Sequence, residues 1–307
     1  MTALAQALAG SAVDGLLYGV LAAGLGLIFA VTGRLHFAMA ASFVLAVFVA
    51  ADAVERGAPF GVAAALGLLV GTGLGLLVEV VVYAPIVRRA PDVALLSVFV
   101  AGIGVVTVCE NAVRLVWPVV ESRQLDPGIV PERIVLWGDV GVTNLDVVVG
   151  GLAVALLIGL QILLSHTPFG QQVHATRGNP LLATLVGISE LRIRLCVFAI
   201  GSFLVAVVGI ATAIRSTVTP SGGIEPTFMA IVVLFLAGTG SSPARFAVAG
   251  LAVAAAEALC AVYVSSAWSP IVVFGILFGY IALTPTVENL RERRARGLRT
   301  ARIASVR

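Results

Sequence analysis

The chain has 307 residues, 60% of them hydrophobic and 11% charged, with 19 basic against 16 acidic residues and a formal net charge of +3. Soluble domains carry about 25% charged residues, so this composition, with a mean hydropathy of +1.09, excludes an ordinary soluble enzyme and indicates a polytopic helical membrane protein. The positive excess sits in loops and at one end of the chain, which argues against a nucleic-acid partner.

A helix that crosses a bilayer needs roughly 20 apolar residues. In chain order the candidates are 10–31, 37–54, 60–83, 93–115, 145–164, 195–214, 224–240, 246–265 and 270–285. They predict an all-α fold with eight or nine transmembrane helices, forming one integral domain over 1–286. An Arg-rich tail over 287–307 follows. The basic residues are all Arg, and no basic residue precedes Arg34, which argues against a cleaved leader. The tail carries Arg291, Arg293, Arg294, Arg296, Arg299, Arg302 and Arg307, so it is expected in the cytoplasm. Counting back places 165–194 and Arg88–Arg89 inside, and the acidic stretch 116–144 and the N-terminus outside.

The span 224–240 is the weak one. Its uninterrupted apolar part, Phe228 to Ala237, covers about 15 Å of a core of ~30 Å. A re-entrant hairpin is one solution. A crossing with broken backbone near Ser221–Gly223 and Gly238–Ser242 is the other, and it keeps the Arg-rich tail inside. Broken backbone at membrane depth is tolerated only where protein buries it or a cavity runs beside it, and paired Gly-rich breaks often mark a transport path. A similar Gly-containing break near Gly33–Ala40 hints at an internal repeat.

The stretch 169–190, FGQQVHATRGNPLLATLVGISE, interrupts two apolar spans and must emerge at one membrane surface. Asn179 suits an N-cap, Pro180 the first helical position and Gly187 the C′ position. These frame a helix of about two turns, with Leu181, Leu182, Leu185 and Val186 on one face. That face needs a partner: lipid, its own chain or a cytoplasmic protein.

No P-loop, HExxH, Ser nucleophile elbow or dinucleotide fingerprint occurs, so no catalytic residue is expected. Within the spans the ionisable residues are Asp14, Glu79, Glu110, Arg114 and Glu257. Glu110 and Arg114, at i,i+4, either pair structurally or contribute a polar lining. Glu79 reads as interfacial. Glu257 sits in an Ala-rich helix and must face protein or water, either hydrogen-bonding a neighbouring helix or lining a pathway. His36, His166 and His174 are scattered singly and do not make a metal site. Cys109, Cys196 and Cys260 lie in apolar segments without metal or CxxC spacing and read as small core residues.

Four motifs in order carry a family resemblance. GRLHFAMAAS, starting at Gly33, is similar to G-x-I-N-F-A-H-G, with Phe37 and Ala38 matching and His36, Met39 and Ala40 departing. VVYAPIVRR, Val81–Arg89, is similar to Y-R-P-L-R, with Tyr83, Pro85 and Arg88 fitting and Ala84 in place of an Arg. In Thr167–Ile188, Gly170, Ala175, Ala183, Gly187 and Ile188 match the family's cytoplasmic loop. LAGTGSSPA, Leu236–Ala244, is similar to L-G-G-x-G-S-x-x-G-A and is followed by AEAL at Ala256–Leu259. The chain thus resembles the membrane subunit of a Liv-type, branched-chain amino acid ABC importer over nearly its whole length.

The resemblance implies a type II-like ABC permease fold with broken helices, in a bacterial inner membrane. It implies a second permease subunit, identical or homologous. Two cytoplasmic ATPase subunits, holding ATP and Mg, and a periplasmic or lipid-anchored binding protein complete the system. The chain itself is then a transporter subunit that binds no cofactor. The coupling segment would comprise Gly170, Ala175, Arg177, Asn179, Pro180, Leu182, Ala183, Leu185 and Gly187. The translocation path would involve His36, Phe37, Gly222, Gly223, Gly238, Gly240, Ser241 and Glu257. The departures around His36, and LTPTVENL after the last span in place of R-P-x-G-L-x-G, leave amides or urea open as cargo. The competing class is a self-sufficient secondary transporter or channel, which needs an ion-coupling site that the sparse intramembrane charges do not make evident.

Overall fold

A computed structural model describes residues 2–118, 122–128, 134–137, 140–265, 268–269 and 271–279. The first three helices are α1 (Thr2–Thr32), α2 (Met39–Glu55) and α3 (Phe60–Leu77). The last of these runs through a single π-type turn, Val78–Tyr83, into α4 (Ala84–Arg89). Then follow α5 (Ala94–Val116), a hairpin of β1 (Ile134–Trp137) and β2 (Val140–Thr143), α6 (Asn144–His166), α7 (Pro168–Gly178) and α8 (Pro180–Leu185). The chain continues through α9 (Glu190–Arg215), α10 (Ile224–Ala237) and α11 (Pro243–Tyr263). Residues 271–279 are helical again.

Six of these helical stretches are long and apolar enough to cross a membrane: α1, α3 with α4, α5, α6, α9 and α11. The expected count of eight or nine is therefore not reached among the described residues. Two apolar helices are short for a physical reason. The 14 residues of α10 rise about 21 Å, less than a bilayer core, because Gly-containing breaks flank it at both ends. The 17 residues of α2 begin only after a buried, non-helical approach through His36 and Phe37. The candidate span 270–285 lies partly, and the tail 287–307 wholly, outside the described residues.

Small residues let the helices close. On α3, Gly67, Gly71 and Gly75 recur every fourth residue and are all buried. A Cβ at Gly71 would stand 2.9 Å from the Ser42 carbonyl of α2 and 2.9 Å from Ala206 of α9. Gly15 and Gly19 of α1 face Gly250 and Ala247 of α11 in the same way. In lipid there is no hydrophobic drive between helices, so such seams supply the close van der Waals contact that holds a bundle. The outward faces of α3, α5 and α6 carry Leu69, Leu96, Val108, Val147 and Ile158, all exposed. Such a belt suits hydrocarbon and not water.

Interhelical ion pairs tie the ends of the helices together. At the hairpin end, Arg215 closes α9 and pairs with Asp14 of α1 and with Asp146 of α6, the latter at 2.7 Å. Asp146 also completes a capping box with Thr143. Arg123 pairs with Glu55 and exchanges two backbone hydrogen bonds with Val218. The hairpin is held to α1 by Gln6, whose amide bonds both the carbonyl and the N–H of Gly141 at 2.8 Å. The opposite end carries α7 and α8.

Candidate functional site

The segment between α6 and α9 folds as two helices, one more than the cap signals predicted. Thr167 opens α7, its hydroxyl accepting from Gly170 N–H at 3.4 Å, with Pro168 at the first helical position. Gly170 is required there because a side chain would run into the Leu164 backbone. Asn179 ends α7 and starts α8: its N–H reaches the Ala175 carbonyl at 3.0 Å, and its Oδ1 accepts from Leu182 N–H at 3.0 Å.

Gly187, at φ +87°, closes α8. Its N–H bonds the Thr184 carbonyl, and Ile188 N–H bonds the Ala183 carbonyl, each at 3.0 Å. This is a Schellman cap, and it needs the left-handed residue that Gly supplies. The caps fix which face shows. Ala183 turns inward and is buried, whereas Leu181, Leu182, Leu185 and Val186 are 57% to 76% exposed. Arg177 and Arg192 lie exposed on either side.

The break after α10 rests on this segment. Gly238 and Gly240 have φ of +90° and +78°. Ser241 Oγ donates to the Ala237 carbonyl at 2.5 Å. Arg177 Nη1 donates to the Gly240 carbonyl at 2.9 Å, and Nη2 to that of Thr239 at 3.4 Å. Arg177 and Gly240, expected in separate roles, are thus in contact at the α7–α8 end.

The other break lies elsewhere. Gly223 abuts the Ala40 carbonyl so closely that no side chain fits. Phe37 stacks edge-on against Phe99 and Phe228, each with centroids 5.3 Å apart. The half-loop with His36 and Phe37 and the turn with Gly222 and Gly223 therefore meet inside the bundle. His36 is buried, 3.4 Å from the Tyr83 hydroxyl through Nδ1 and edge-on to Phe198.

Glu257 lies within electrostatic range of Tyr18 of α1, Glu225 and Asp14. Tyr18, Gly222 and Glu225 line a cavity of about 360 Å³ that also includes Asp14. A second cavity of about 840 Å³, sharing Asp14 and including Asp146 and Arg215, opens at the hairpin end. Gly222 lines the smaller of these two cavities; Gly240 and Ser241 line neither.

Sequence reasoning missed the cluster around Glu79. Glu79, read as interfacial, is fully buried. Arg34 Nη1 donates to both its oxygens, at 3.1 and 3.2 Å, and Arg194 Nε lies 2.8 Å from Oε1. Nothing local announces these pairs, since the partners come from three separate segments. Among the described residues no group of His, Cys, Asp and Glu is placed to hold a metal ion.

A family described as "Branched-chain amino acid transport system / permease component" matches residues 7–281. The chain belongs to this family. Permease subunits similar to it include LivH of the high-affinity branched-chain amino acid transport system of Escherichia coli, 25% identical over 88% of this chain and 90% of LivH. BraD of Pseudomonas aeruginosa, from a system of the same description, is 23% identical over the same shares. XylH, the xylose transport permease of Escherichia coli, is 34% identical over 32% of this chain and 25% of XylH. This Liv-type permease accordingly carries its motifs in a multi-pass helical bundle, as the four sequence motifs implied.

Proposed function

We propose that this permease is the membrane subunit of an ATP-driven importer for branched-chain or related amino acids, and that a cytoplasmic ATPase docks on α8. The observation that carries the proposal is the bare apolar face of Leu181, Leu182, Leu185 and Val186, on a helix capped at both ends and flanked by arginines. A surface so preformed loses little entropy on binding, and four aliphatic anchors within a basic rim suit a groove in a soluble partner. The α7–α8 end then faces the cytoplasm, and the N-terminus and hairpin face outward, where a binding protein delivers cargo.

In this reading two copies of such a subunit form the path. His36, Phe37, Gly222 and Gly223 lie along it with Glu257 beside the cavity, and the Gly238–Ser241 break lies where the path meets the coupling segment. ATP and Mg bind the partner ATPases only. The mechanism is alternating access, in which closure of the ATPases moves α8 and reverses the cavity.

The test is purification of the native complex in mild detergent, with its subunits identified by mass spectrometry. Two Walker-containing ATPase subunits are expected for each pair of permease subunits. A chain that purifies without ATPases yet transports in vesicles would establish the secondary-transporter class instead.

A further inference from the structure

Glu79 joins three parts of the fold that sequence keeps apart. Arg194 lies in the opening turns of α9, just beyond the Gly187 cap that ends α8. Arg34 opens the half-loop that leads through His36 and Phe37 into α2. Glu79 itself sits in the π-type turn that joins α3 to α4, a form frequent at functional sites.

Folding alone does not require this cluster. The Glu79 carboxylate faces two guanidinium groups, with the three side chains 1%, 11% and 14% exposed, and Arg194 Nη1 also reaches the more exposed Glu190 at 3.3 Å. Desolvating such a group cancels or exceeds its Coulombic return, and apolar side chains of like volume commonly stabilise as well or better. Its geometric effect is to tie the start of α9 to the half-loop. From Arg34 the chain runs through buried His36, wedged between Tyr83 and Phe198, to Ala40, whose carbonyl backs Gly223.

The tie is not a tight lock. Arg194 Nε is at ion-pair distance from Glu79, yet its N–H is not aligned for a hydrogen bond. Ser202 Oγ of α9 and His36 Nε2 both face the notch at Gly75 and are buried without partners. Unpartnered polar atoms on both sides of one helix seam fit an interface that has a second arrangement to satisfy them.

We infer that Glu79 is a positioning residue that relays displacement of α8 to the His36–Ala40 half-loop, with Arg194 as the driven end and Arg34 as the responding end. The inference rests on the reading of α8 as the ATPase dock.

The experiment measures cargo uptake and ATP hydrolysis in the same proteoliposomes containing the whole complex. Two variants are compared: Glu79→Gln, and the triple Arg34→Met/Glu79→Leu/Arg194→Met, which leaves no buried charge unpaired. Both are expected to retain their ATPase subunits and to hydrolyse ATP, while uptake per ATP hydrolysed falls about tenfold; Glu79→Asp recovers most of the ratio. A triple variant with the wild-type ratio overturns the inference. So does a triple variant that fails to insert or sheds its ATPases, because the cluster then serves folding or shapes the dock. If Leu182→Asp/Leu185→Asp leaves the ATPases bound, the docking reading itself fails. If that variant sheds them while the Glu79 variants keep their ratio, only the relay fails.

Discussion

Arg177 Nη1 donates to the Gly240 carbonyl at 2.9 Å, so the break that ends α10 leans on the helix that leads into α8. The contact separates two glycines that look alike in sequence. A side chain at Gly238 meets only Ser241 Oγ, at 3.4 Å, whereas one at Gly240 takes the space of the Arg177 guanidinium. Gly238→Ala should cost ~1–2 kcal/mol, from its backbone conformation alone. Gly240→Ala should cost more, and the double variant with Arg177→Ala less than the sum of the two single changes. Thermal unfolding midpoints of the purified protein check the order. Equal effects at the two glycines would remove Arg177 from the argument.

The α3 seam gives a second prediction. Gly71 stands 2.9 Å, at its absent Cβ, from both the Ser42 carbonyl and Ala206. Gly71→Leu should destabilise the bundle by ~1–3 kcal/mol or more, because backbone and not a flexible side chain must move. Gly73, two residues on, has open space around it, so Gly73→Leu should be tolerated. Yields and melting midpoints of the two variants, side by side, test this.

Glu257 separates shape from charge. Its side chain lies within electrostatic range of Tyr18, and Gln keeps a polar oxygen of the same shape there. Glu257→Gln should leave the melting midpoint unchanged and lower uptake severalfold, if charge beside the cavity matters to cargo. Glu257→Leu should in addition destabilise, since it puts an apolar side chain beside half-buried Tyr18. Unimpaired uptake by Glu257→Gln would assign the residue to packing alone.

Local signals were legible in the sequence, and long-range pairs were not. Asn179, Pro180 and Gly187 frame α8 because capping is decided within a few residues, and the structure has those bonds. The shortness of α10 was readable from its flanking Gly runs. Thr167 and Pro168 carry a start signal of the same kind for α7. The hairpin has a local signal too: Ile134–Trp137 and Val140–Thr143 are runs rich in β-branched residues with a Gly-Asp pair between them. The pairing of Glu79 with Arg34 and Arg194, and that of Arg215 with Asp14 and Asp146, had no such signal. Each depends on how distant helices stack, which periodicity and spacing do not encode.

The α8 face gives the strongest single substitution. Leu182→Asp/Leu185→Asp places two carboxylates on a surface proposed to be desolvated, at a cost of several kcal/mol. The caps at Asn179 and Gly187 remain, so the helix itself should persist, and circular dichroism of the variant should match the parent.

The central claim is tested most directly by uptake of labelled leucine into proteoliposomes holding the native complex, with ATP inside the vesicle compartment that the α7–α8 end faces. The account predicts uptake that requires both ATP and the binding protein and that disappears in Leu182→Asp/Leu185→Asp, together with the ATPase subunits, while the permease still inserts. Uptake that proceeds without ATP, or that survives this variant with its ATPases in place, would contradict it.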